Sequence, residues 1–113
     1  MIKILIEKIN RHELEKIAQE TYGAMVKFAV DVQKGIIALG GQLHSDAEEK
    51  LLEKGSKSRY IWGANIHLDH PKKDRIEFTA LINIKPSVAN RSMEIEDQAI
   101  KKKIKRIVNK FIE

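Results

Sequence analysis

The chain has 113 residues, of which 42% are hydrophobic and 33% charged, with no cysteine and a formal net charge of +5. That length and balance describe one folded domain with one core, not a disordered chain. No apolar run approaches the roughly 20 residues a membrane-crossing helix needs, and without thiols there are neither disulfides nor thiolate metal sites.

The excess charge is local. Lys101, Lys102, Lys103, Lys105, Arg106 and Lys110 face only Glu113 in the last sixteen residues, so residues 1–97 are balanced. The apolar stretch at Ile2–Ile6 is too short for an export signal, and a cytoplasmic location is the expectation.

In chain order, Ile2, Ile4 and Ile6 alternate as one face of a short strand. Asn10 with Glu13 predicts a capped helix start, Leu14, Ile17 and Ala18 follow helical spacing, and Gly23 stops it. From Ala24 the period becomes two: Val26, Phe28, Val30 and Val32 share one face, and Lys27, Ala29 and Asp31 the other. Gln33-Lys34-Gly35 predicts a turn and Ile36–Leu39 the returning arm of a hairpin. Ser45 and Glu48 predict the capping box of a second helix with Ala47, Leu51 and Leu52 inward, ending near Gly55.

Tyr60–Leu68 and Ile76–Lys85 read as a second pair of strands around the turn-rich Asp69–Asp74. If Leu68 pairs near Ile76, His67 lies opposite Glu77, Asn65 opposite Thr79, and Leu81 covers Gly63. Asp97 caps a final helix whose Ile100, Ile104, Ile107, Val108 and Phe111 form an apolar stripe. The order β-α-β-β-α-β-β-α over residues 1–113 predicts a single α+β domain. The expected form is a two-layer sandwich, a mostly antiparallel sheet with helices on one face.

Few residues carry chemistry. Ser87, Asn90, Arg91 and Ser92 gather in a loop at a strand end, where Arg91 could grip an anion and its neighbours donate hydrogen bonds. The competing reading is turn chemistry, with Asn and Ser bonded to their own backbone. Gly40-Gly41 before a helix start could cradle phosphate, but Asp46, Glu48 and Glu49 already occupy that helix's positive end, which suits a hard metal better. His67 and His70 suggest metal ligands on paper; strand alternation sends them to opposite faces unless the loop curls. The dinucleotide-binding, phosphate-loop, zinc-protease and nucleophile-elbow signatures are absent.

Three phrases stand together: Gly40-Gly41-Gln42-Leu43-His44-Ser45-Asp46-Ala47-Glu48, Gly55-Ser56 with Trp62-Gly63-Ala64-Asn65, and Asn83-Ile84-Lys85-Pro86-Ser87 with Asn90-Arg91-Ser92 and Glu96-Asp97. On these the chain resembles a family of small prokaryotic proteins known only as a domain of unknown function. The resemblance spans nearly the whole chain and implies a stand-alone domain of this length, with no catalytic residue to carry over. Lys85 stands where that family leads one to expect arginine, so a forked anion contact is not implied there.

The resulting expectation is a domain binding a small polar or anionic ligand at the 86–92 loop, with His44, Asp46, Asn65 and Asn83 completing the site beside Ser87, Asn90, Arg91 and Ser92. Two alternatives accompany it: nucleic-acid or acidic-partner binding through the basic last helix, and a metal-assisted hydrolase using His44 and Asp46. No cofactor or resident metal is implied, no membrane is expected, and the chain could be a monomer or a homodimer paired through its first strand.

Overall fold

The computed structural model describes residues 1–113. Strand β1 (Ile2–Leu5) leads into helix α1 (Arg11–Gln19), where Asn10 accepts from the Glu13 amide at 2.9 Å as the N-cap. Strands β2 (Met25–Asp31) and β3 (Ile36–Gly40) form the expected hairpin, its turn held by Asp31 Oδ1 accepting from the amides of Gln33 and Lys34. Helix α2 (His44–Glu53) precedes β4 (Ile61–His67), the short β5 (Ile76–Glu77) and helix α3 (Gln98–Phe111). The five strands form one antiparallel sheet in the order β1-β3-β2-β4-β5.

The α+β class and the antiparallel sheet are as the patterning predicts. Helices α1 and α3 share one face of the sheet, where Leu14, Ile104, Val108 and Phe111 pack on Phe28, Val30, Trp62 and Ile66 in the larger core. Helix α2 departs from the single-face expectation. Its Ala47 and Leu51 join Ala29, Ala38 and Ile61 in a smaller cluster built from the opposite set of alternating strand residues. The alanines on that face are the reason a helix can approach it closely. No helix is long and apolar enough to cross a membrane.

Two local expectations are corrected. Helix α2 starts two residues earlier than the Ser45 capping box requires, with Leu43 at the N-cap and no side-chain cap bond. The strand expected over Ile76–Lys85 pairs with β4 for only two residues, with Asn65 opposite Glu77 and Ile66 opposite Ile76. The chain then pairs with the segment before α3 instead: the Ile95 amide donates to the Phe78 carbonyl at 3.0 Å and the Ala80 amide to the Met93 carbonyl at 3.1 Å. It turns through single 3-10 turns at Leu81–Asn83 and Pro86–Val88. Consequently Ala80 and Ile82, not Leu81, cover Gly63: a Cβ there would lie 2.7 Å from that of Ala80 and 2.9 Å from Ile82 Cγ1. Leu81 points outward, 70% exposed.

Candidate functional site

The polar face of the sheet holds one row across three strands. Lys27 on β2 is opposite Asn65 on β4, and Asn65 is opposite Glu77 on β5. Because α2 starts without a cap, His44 is its first residue and its ring drops onto this row. His44 Nε2 lies 2.8 Å from Asn65 Oδ1 and 2.9 Å from the Ala64 carbonyl. Both partners are acceptors, so Nε2 carries the proton and Nδ1 of the neutral ring is a free acceptor. Burial lowers the pKa of His44, overriding those two hydrogen bonds, which act in the opposite direction.

Asn65 in turn donates through Nδ2 to Glu77 Oε1 at 2.9 Å, and His67 Nε2 reaches the same oxygen at 3.0 Å. These two hydrogen bonds, that from Asn65 the larger influence, hold the Glu77 carboxyl below its ordinary pKa. The chain His44–Asn65–Glu77–His67 is therefore an ordered set of donors and acceptors in which Asn65 and His67 converge on one carboxylate oxygen.

Above the row lies a groove of about 480 Å³. Lys27, His44, Asn65, Glu77 and Thr79 form its polar part. Met25, Leu43, Leu81 and Met93 give it apolar walls, and of these Leu43, Leu81 and Met93 are 55%, 70% and 41% exposed. Another hollow of about 420 Å³, between α1 and Leu68–Asp69, is lined mostly by polar side chains. There Arg11 is already committed to Glu15 and to the Leu68 carbonyl.

The other residues expected at the site divide. Asn83 is fully buried: its Oδ1 accepts from the Gly63 amide at 2.8 Å, and its Nδ2 donates to the carbonyls of Gly63 at 2.9 Å and Met93 at 3.0 Å. Asn90, also buried, donates to the carbonyls of Asn83, Ser92 and Glu94 and accepts from the Glu96 amide. Both amides are consumed by backbone, which corrects their placement as ligand contacts. Ser92 donates to Glu94 and Glu96. The Lys85–Asn90 bridge closes the 86–92 loop on itself, leaving the Ser87 and Arg91 side chains exposed outside the groove. The loop is thus a self-satisfied turn with one outward cation.

Asp46 is exposed on α2, and its carboxylate makes no hydrogen bond with His44. Gly40 and Gly41 leave no cradle, since Cβ positions there would meet the Met1 carbonyl at 2.6 Å and Ile2 Cγ1 at 2.9 Å. Lys85 pairs with Glu48 at 3.4 Å, both largely shielded, tying the turn at Pro86 to α2. Among the groove residues that sequence reading passed over are Met25, Lys27, Leu43, Glu77, Leu81 and Met93. Lys27 and Glu77 were visible as polar members of alternating strands, but only the long-range pairing of β2 with β4 sets them in one row.

His67 and His70 correct a further expectation. The loop does curl, with the His70 amide 3.4 Å from the His67 carbonyl, and the two rings stack with centroids 4.7 Å apart and planes within 15°.

These features define a small α+β domain with one antiparallel sheet and an open polar groove at the N-terminus of its middle helix. The chain belongs to the family described as protein of unknown function DUF5674, whose profile matches residues 3–111. No curated protein and no solved structure matches it.

Proposed function

We propose that this chain is a binding domain for a small molecule with a polar head and an apolar body, held in the groove between α2, β4 and β5. The observation that carries the reading is the combination of an ordered polar row, Lys27–Asn65–Glu77 beneath His44, with exposed apolar walls at Leu43, Leu81 and Met93. The groove's size falls in the range of small-molecule sites, about 300–1,000 Å³. Its polar end offers a cation at Lys27, the free Nδ1 of a neutral imidazole and an ionised carboxylate. A matching head carries both an acceptor or negative oxygen for Lys27 and a donor for Glu77, as in an amino acid or an amide-bearing acid. A simple anion is a poorer match, because Glu77 would repel it.

The test is a backbone-assigned NMR titration with amino acids, small amides, simple carboxylates and phosphate. Shifts at Lys27, His44, Glu77 and Leu81 that saturate with the zwitterionic set, and that Lys27→Ala and Leu81→Ser weaken at least tenfold, are the expected result. Shifts confined to Arg91 and its neighbours with simple anions would return the site to the 86–92 loop. Shifts at Lys102, Lys103, Lys105 and Arg106 with a short RNA, vanishing with salt, would favour the basic helix instead.

A further inference from the structure

We propose that His67, Asp69 and His70 form a site for a borderline divalent cation of the Zn²⁺ type, with Glu77 orienting the first of its ligands. One ligand atom from each of the three side chains lies within 4.8 Å of the others. They come from the end of β4 and the turn that follows it, none of the three lining the groove, although His67 adjoins it through Met25 and Glu77. Two imidazoles and a carboxylate are a donor set that suits zinc with a fourth position open to water.

The hydrogen bonds around the rings determine which nitrogens are available. His67 Nε2 is committed to Glu77 Oε1 at 3.0 Å, and a carboxylate can only accept, so this nitrogen bears the proton and Nδ1 keeps its lone pair. A histidine whose far nitrogen donates to a carboxylate is the arrangement by which metal-bound imidazoles are oriented and made more basic. His70 Nδ1 faces the Asp74 carbonyl at 3.4 Å, which leaves His70 Nε2 free; that atom is 3.8 Å from Asp69 Oδ1. Both open nitrogens and the open carboxylate are thus on one short stretch of chain.

Metal bonds of about 2.0–2.2 Å require the three atoms to draw together, and nearly parallel rings cannot both aim their lone pairs at one ion. One ring therefore turns on binding. His70 is the one free to do so, since its side chain is 49% exposed whereas that of His67 is 25% exposed and held by Glu77. Binding thus splays the stacked pair.

The untagged full chain is titrated with Zn²⁺ by calorimetry and with Co²⁺ by visible absorption, alongside His70→Ala, His67→Ala, Asp69→Ala and the distant control His12→Ala. The expected result is one ion per chain, with a Co²⁺ band typical of four-coordination. Loss of either histidine weakens binding at least tenfold, and His12→Ala leaves it unchanged. Glu77→Gln keeps all three ligands and weakens binding about 10–100-fold, as removal of an orienting carboxylate does. Absence of saturable binding, or His70→Ala and His12→Ala behaving alike, overturns the site. His70 and Asp69 are exposed enough that their replacement leaves the fold intact, so a negative result there is decisive.

Discussion

Asn83 shows how one side chain can stand in for a strand. Beyond Glu77 the chain leaves β4, yet Gly63 still finds both a donor and an acceptor, because the Asn83 amide has the groups of a peptide unit and presents them in that place. Replacing Asn83 with Ala strands the Gly63 amide and carbonyl in a dry site, and should cost about 2–4 kcal/mol in denaturant unfolding, with faster hydrogen exchange at the Gly63 amide. His44 gives a pH prediction of definite sign. Its native pKa lies below the ordinary 6.5, so the unfolded chain binds more protons and stability falls as pH drops from about 6.5 through the native value. Thermal melts should lose stability across that interval, and His44→Gln should flatten the loss. Glu77 acts lower on the scale: its depressed pKa contributes stability above the ordinary 4.5 that is lost as pH falls through the native value. Asn83 and Asn90 read identically to ligand-binding residues in sequence, because an amide that bonds backbone and one that bonds a ligand have the same formula. Only burial separates them.

At the level of elements, the two ends of α2 contrast. Its C-terminus is closed by paired bonds from Gly55 to Leu52 and from Ser56 to Leu51, each 3.0 Å, while its N-terminus has only the extended Leu43. Leu43→Ser supplies a cap and should raise stability by about 1 kcal/mol in the same unfolding assay, yet it removes a groove wall and should weaken the proposed ligand. A gain in stability without loss of binding would separate the helix start from the groove. Gly63 is the tight point of β4. Gly63→Ala drives a methyl into Ala80 and Ile82 and should destabilise by about 1–3 kcal/mol. The strands of the β2–β3 hairpin were legible from alternation and a turn, since both act locally. The brevity of β5 was not, because Ile76, Phe78, Ala80 and Ile82 keep a period of two in sequence, while Ile76 pairs with β4, Phe78 and Ala80 pair with the segment before α3, and Ile82 lies in a turn.

For the molecule as a whole, the class of fold and the helix stripes followed from periodicity, whereas the strand order did not. Placing β2 between β3 and β4 joins residues far apart in the chain, and no local signal encodes that. The split of the helices over two faces has the same origin: Ala29 and Ala38 mark a close approach, but not by which helix. The fold is fastened where its far parts meet. The Ile9 amide donates to the Phe111 carbonyl at 2.9 Å, and the buried Arg75 donates to the carbonyls of Ile112 and Glu113 at 2.9 and 2.7 Å. A guanidinium there also complements the negative end of α3. Arg75→Ala should cost about 2–4 kcal/mol in chemical unfolding and expose the last turn of α3 to exchange.

The meeting of Ile9 with Phe111 and Ile112 bears on how the chain comes into being. Protein synthesis proceeds from the first residue to the last, so Ile9 emerges long before Phe111 and Ile112 exist. Until α3 has left the ribosome, the face formed by Phe28, Trp62 and Ile66 stays without part of its cover. Completion of the larger core therefore requires α3 to have emerged, and a nascent chain stalled before Phe111 would present that apolar face to chaperones rather than bury it.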